Sequence, residues 1–215
     1  MGTSSTAQNQ NFDDSTWDTV DLPHDFSIIQ SFTTSGEAES GFLPGGTGWY
    51  RKSFTMPEEM KEKNVMISFD GVYSDAYVYV NGTYLGEHHY GYTNFAFDIT
   101  DYLTMDSITE NVVAVKVVNN IPSSRWYSGS GIYRDVTLIV ADAVHVDYNG
   151  TQVTTPNIAN GDGTVDVSVE VVNEGTESAT VTVTNAVYKN GSETQIVSAS
   201  ANSVEVDCRC YLAKV

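Results

Sequence analysis

Residues 119–136 read NNIPSSRWYSGSGIYRDV, and the runs that bracket them decide the fold. Before them stands Val112-Val113-Ala114-Val115-Lys116-Val117-Val118, and after them Val136-Thr137-Leu138-Ile139-Val140. Both runs are short and rich in β-branched residues, the composition of strands. The connection between them packs in Arg125, Trp126, Tyr127, Gly129 and Gly131. Loops held on a rigid β scaffold are where binding residues collect. Trp126 and Tyr127 therefore face a ligand or cap the edge of a core, since a large aromatic surface serves either end.

Outward from that loop the same pattern recurs. Val65, Ile67 and Phe69 alternate with Met66, Ser68 and Asp70, which predicts a half-buried strand. Ala76-Tyr77-Val78-Tyr79-Val80 and Thr83 to His88 flank Asn81-Gly82, the dipeptide of a type I′ hairpin turn. Further strands are expected at Trp49–Phe54, which Pro57 ends, and around Phe95, Phe97 and Ile99. Ser31 to Gly48 is expected to be one long glycine-rich loop, and loops of that length are often functional.

The N-terminal residues 1–11 are polar and expected to be disordered. They lack the basic patch and apolar run of a signal peptide. Phe12, Trp17, Val20 and Leu22 are expected to anchor the acid-rich strip that follows, and Pro23 holds Leu22 extended. His24 and Asp25 are adjacent. Neighbours on an extended chain point to opposite sides, so a structural hydrogen-bonding role is expected over a general-acid pair. His88 and His89 read as surface imidazoles for the same reason, with no third ligand nearby for a metal.

The composition changes near Ala141. From Ala143 to Asp207 there is no Trp or Phe, and nine acidic residues face one lysine, Lys189. Val165, Val167, Val169 and Val171 alternate with polar residues, and Asn190-Gly191 marks another hairpin turn. Two domains are expected. Residues 12–142 would form one β-rich domain and residues 143–207 a smaller sandwich of immunoglobulin type, short of the usual ~100 residues and so either truncated or missing strands. The tail, 208–215, breaks the acidic pattern and has no assigned place. It holds the only two cysteines, Cys208 and Cys210, too few for a disulfide framework or a zinc site.

The whole chain carries 28 acidic and 10 basic side chains, a formal net charge of −18. Such a surface repels phosphate backbones and anionic lipid, so neither nucleic acid nor membrane is expected as a partner. No apolar run is long enough to span a bilayer.

Four motifs in order carry a family resemblance: Leu22-Pro23-His24-Asp25-Phe26-Ser27, Gly48-Trp49-Tyr50-Arg51-Lys52, Val78-Tyr79-Val80-Asn81-Gly82 and Gly131-Ile132-Tyr133-Arg134-Asp135-Val136. They resemble the N-terminal sugar-binding domain of bacterial glycoside hydrolase family 2, of the β-galactosidase type. The resemblance implies an all-β chain, a jelly-roll sandwich of the galactose-binding kind followed by an immunoglobulin-like sandwich. It implies further that the catalytic glutamates lie on a separate TIM barrel, so this chain alone carries no catalytic residue, metal or other cofactor. The partners it implies are a β-galactoside, the barrel of the parent enzyme and further copies of that enzyme; it names no compartment. Loops 31–48 and 124–129 are then expected to wall the active site, with Asp25, Arg125, Trp126 and Tyr127 facing sugar. Where β-galactosidases place a sodium-binding carboxylate just before this last motif, the sequence has Arg125-Trp126-Tyr127-Ser128-Gly129, so the sodium contact is not carried over. Arg51 and Arg134 are expected to be structural, paired with carboxylates such as Asp25 or Asp75, which leaves Arg125 for function. A free-standing carbohydrate-binding module, with Tyr90 and Tyr92 added to the aromatic platform, is the alternative.

Overall fold

Alternating valines with frequent turn signals produce strands throughout, and the computed structural model contains no α-helix among the residues it describes, 6–122, 129–160, 162–192, 195–200, 204–208 and 210–214. Two compact units divide at Val140 and Ala141, two residues before the expected boundary.

The first unit contains β1 (Gly46–Thr55), β2 (Asn64–Phe69), β3 (Val72–Tyr73), β4 (Asp75–Val80), β5 (Thr83–His88), β6 (Phe95–Asp98), β7 (Glu110–Asn119), β8 (Gly131–Ile132) and β9 (Val136–Ala141). A four-stranded antiparallel sheet runs β1-β7-β4-β5, a three-stranded sheet β6-β2-β9, and β3 pairs with β8. Val113, Val115 and Val117 of β7 and Ala76, Val78 and Val80 of β4 turn inward onto Val65, Ile67 and Phe69 of β2. This β-sandwich core gains about 1.5–3 kcal/mol per buried side chain. The Asn81-Gly82 turn has positive φ at both residues, 49° and 83°, as a type I′ turn requires.

β7 is buried on both faces, because Val112 and Ala114 on its outer side are covered too. The cover is the N-terminal segment, which corrects the expectation of a disordered residue 1–11 stretch for residues 6–11. Residues 8–10 reach Gly82 in the β4–β5 turn, Gln10 Nε2 donates to Glu110 O of β7 at 2.9 Å, and Ala7 is fully buried. Arg51 of β1 holds the segment down, donating to the carbonyls of Ala7 (2.6 Å), Asn9 (2.9 Å) and Gln10 (3.2 Å). Main-chain carbonyls are acceptors whatever the side chain, so polar composition gave no sign of this docking. Arg51 pairs with Asp14 at 2.8 Å, which corrects the expected partners Asp25 and Asp75. Arg134 stacks on Tyr133 with its guanidinium 5.2 Å from the ring centroid and reaches Asp70 O at 3.4 Å.

The second unit contains β10 (Val144–Ala159), β11 (Asp162–Asn173), β12 (Ala179–Val181), β13 (Thr184–Tyr188), β14 (Gln195–Ser200), β15 (Val204–Val206) and β16 (Cys210–Lys214). Its sheets are β10-β11-β16, β12-β15 and β13-β14, around a small core of Val169, Val171 and Val206. The tail without an assigned place is strand β16. Its backbone pairs with β11, Val172 opposite Tyr211 and Asn173 opposite Cys210, because a strand edge offers hydrogen bonds to any extended chain.

Candidate functional site

At one end of the first sandwich β1 begins, β7 ends and β8 begins, with Gly46 paired to Asn119. The Leu22–Ser27 motif joins this end as an extra extended segment. His24 N donates to Ile132 O and Phe26 N to Ser130 O, each at 2.8 Å. Side chains therefore alternate along it. The His24 ring meets Tyr50, Nδ1 2.8 Å from the hydroxyl, and Phe26 enters the core. Burial pushes the Tyr50 hydroxyl up to about 12, so the phenol stays protonated beside the His24 ring. Gly131 must be glycine: its φ is 140°, and a Cβ there would strike the Tyr50 hydroxyl and His24 O.

A buried polar relay crosses the same end. Asn119 Nδ2 donates to Gly129 O at 3.0 Å and to Ser130 Oγ at 2.7 Å. Ser27 Oγ lies 2.6 Å from both Ser130 Oγ and Pro44 O. A hydroxyl has one proton, so every group is satisfied when Asn119 donates to Ser130, Ser130 to Ser27 and Ser27 to Pro44. Ser27 and Ser130 are almost fully buried and Asn119 is 7% exposed. The relay thus ties the 31–45 loop, through Pro44, to the loop that follows β7. Sequence reasoning named both loops and missed the three side chains that join them. Their signal was partly present, since Ser27 lies inside a motif, Ser130 next to one and Asn119 at the end of a valine-rich strand, but nothing in spacing showed that they meet.

Asp25 sits beside this relay. Its Oδ1 accepts from Ser27 N at 2.8 Å, and its Oδ2 faces Gly129, where an added Cβ would come within 3.3 Å. Asp25 is therefore placed at the edge of the loop that carries the other three sugar-facing candidates. Arg125, Trp126 and Tyr127 lie outside the described residues.

Along the outer edge of β1 runs a groove of about 510 Å³ that sequence reasoning also missed. Trp17, Trp49, Phe26 and Ile29 give it apolar walls, and Asp14, Asp18, His24 and Lys52 give it polar ones. Val20 and Leu22, expected as anchors, are 39% and 40% exposed, whereas Trp17 does pack, 5.4 Å from Phe12.

Across the sheet, His89 sits between two carboxylates, Nδ1 3.1 Å from Asp75 and Nε2 3.1 Å from Glu87. The hydrogen bond to Glu87, then that to Asp75, raises the imidazole pKa above its usual value, and Glu87 is lowered in turn. His88 stacks on Phe95 at 4.4 Å and bonds Thr93 Oγ1 at 2.9 Å. Among the described residues no three His, Cys, Asp or Glu side chains converge as a metal site would need, and no helix is long and apolar enough to cross a membrane.

Comparison with known proteins places the chain in a family. Residues 5–142 match the family described as glycosyl hydrolases family 2, sugar binding domain. The chain is 41% identical to the β-galactosidase BoGH2A of Bacteroides ovatus over 85% of its own length and 22% of that protein. It is 38% identical to a putative β-glucuronidase of Formosa agariphila over 75% of its length and 16% of that protein. Among solved structures, a family 2 member from Bacteroides cellulosilyticus superposes on the whole chain with a TM-score of 0.87 at 37% identity, using 28% of that structure. A Bacteroides uniformis β-glucuronidase does so at 0.83 and 29%, using 26%. The chain thus spans only 16% to 28% of these relatives.

Proposed function

This chain belongs to glycosyl hydrolase family 2, and from that premise we propose that it acts as the non-catalytic N-terminal region of a β-galactoside-hydrolysing enzyme. Its part is to shape one wall of an active site whose chemistry lies elsewhere in the longer polypeptide. The observation that carries this is the relay through Asn119, Ser130, Ser27 and Pro44. A buried, fully satisfied polar network fixes loop geometry, and positioning a substrate depends on such fixed walls. Asp25, Arg125, Trp126 and Tyr127 are the side chains assigned to sugar. Asp25 accepts hydroxyl hydrogens, and the aromatic pair offers ring faces. The second unit serves as the immunoglobulin-like spacer that leads toward the catalytic barrel.

The test uses the longer polypeptide with an aryl β-D-galactoside and an aryl β-D-glucuronide side by side. Asp25→Asn, which keeps an acceptor for Ser27 N, and Arg125→Ala should each lower kcat/KM on the galactoside by about ten- to a hundredfold, with little change in Tm. An unchanged kcat/KM removes that residue from the site, and preference for the glucuronide overturns the galactoside assignment.

The groove along β1, with Trp17 and Trp49 in its walls, favours a second reading as a free-standing carbohydrate-binding module. Titrating this chain alone with galactose and lactose while following Trp fluorescence separates the two. Saturating quenching at millimolar sugar supports the module; a flat signal counts against it.

A further inference from the structure

We propose that the loop of residues 89–94 is an aromatic subsite for a neutral sugar residue of an extended glycan. The inference rests on the reading that this end of the sandwich walls a glycosidase site. Tyr90 and Tyr92 are 58% and 47% exposed. Tyr92 stands edge-on to Tyr73 at 5.6 Å and 69°, and Tyr90 edge-on to Tyr92 at 5.8 Å and 65°, so the rings form a corner.

The corner is built from below. Tyr133 Oη donates to Gly91 O at 2.5 Å and so ties the loop tip to the chain just after β8. A Cβ at Gly91 would enter the Tyr73 ring, so glycine is what lets that ring pack beneath the loop. The His88–Phe95 stack and the His88–Thr93 hydrogen bond hold the flanks. A platform fixed in advance loses little entropy on binding.

Register puts this corner at the relay's end of the sandwich, since Tyr73 pairs with Gly131 and Asp75 with Val118. Its rim is polar: His89 lies between Asp75 and Glu87. A pyranose presents a C–H face to a ring and hydroxyls to carboxylates, which matches a corner of exposed aromatics with an acidic rim. Asp75 and Glu87 outnumber His89 at the rim, and the net charge of −18 outweighs the nearby guanidinium of Arg134 on Tyr133, so an anionic uronate is repelled and the sugar unit is neutral.

The experiment compares an aryl β-D-galactoside with a neutral trisaccharide ending in the same sugar, on the longer polypeptide. Tyr90→Ala with Tyr92→Ala should raise KM for the trisaccharide about tenfold and leave the aryl galactoside within about twofold. An equal change on both substrates, or none on either, overturns the subsite. Calorimetric titration of the same trisaccharide reads it without catalysis: about tenfold weaker binding in the double variant supports it, and equal affinity overturns it. A trisaccharide carrying a uronate at the distal unit should bind about tenfold more weakly than the neutral one, and equal affinity overturns the neutral assignment. Failure of the unsubstituted protein to cleave any galactoside would sink the functional reading while the titration still decides the subsite.

Discussion

The guanidinium of Arg51 meets four acceptors, three carbonyls and the Asp14 carboxylate, with its side chain only 4% exposed. Lysine has the charge but not the planar fork, so it cannot serve that many acceptors from one place. Arg51→Lys should cost about 2–3 kcal/mol in urea denaturation and open residues 6–14 to proteolysis, because buried acceptors are left without donors. Asp14→Ala should cost less, about 1 kcal/mol, since that carboxylate is 43% exposed. His89 makes a second prediction at this scale. Its folded-state pKa is raised, so the stability it contributes is present below its usual value of 6.5 and is lost as pH rises through the folded value. Glu87 is lowered, so its contribution is present above 4.5 and is lost as pH falls through its folded value. An NMR titration should place the His89 imidazole above 6.5, with Glu87→Gln lowering it part of the way, since Asp75 remains; a value at or below 6.5 in the unsubstituted protein would break the bridge to the two carboxylates. These residues show what is hidden at the level of single side chains. That Arg51 was structural could be read from its motif; its partners, 37 or more positions away, could not.

Among elements, β7 teaches most. Its valines alternate with small or polar residues and read as a strand with one wet face, yet Val112 and Ala114 are buried. Alternation reports one core; it is silent about a second layer laid on by a polar segment. The β4–β5 hairpin was legible because Asn81-Gly82 is a local instruction. Asn81 also works at long range: its Oδ1 accepts from Val112 N at 2.8 Å and its Nδ2 donates to Tyr102 O and Asn111 Oδ1. Asn111, fully buried, accepts from Thr104 N and donates to Thr104 O, each at 2.8 Å. Asn111→Ala should therefore cost about 2–3 kcal/mol in urea denaturation, more than a single exposed hydrogen bond, because Thr104 N, Thr104 O and Asn81 Nδ2 all lose a partner at once. A loss below about 1 kcal/mol would mean that water replaces the amide. β10 and β16 were not legible. The first is a long run of Thr, Asn and exposed apolar residues broken by register shifts, and the second breaks the acidic, valine-rich pattern of the residues before it.

At the scale of the whole molecule, the first unit combines an acidic composition with a run of bare apolar side chains. Ile28, Ile29, Phe32 and Phe42 are 60%, 68%, 74% and 45% exposed, all within the stretch that runs from beside Ser27 to just before Pro44. Apolar residues exposed singly are ordinary on any surface, but a run of them beside the buried relay is the mark of a face that another body covers. The four sequence motifs stop short of this stretch, so the family was legible while the face was not. On the proposed function, a catalytic part of a longer polypeptide is expected to press against this face. Ile29→Asp with Phe32→Asp should then lower kcat about tenfold and bring forward heat inactivation of the longer polypeptide. The same pair should leave the urea midpoint of this chain alone unchanged, because both side chains already face water here. Hydrophobic dye binding to the chain alone should fall in the variant. An active, equally heat-stable double variant would make these side chains plain surface and move the catalytic partner to another face.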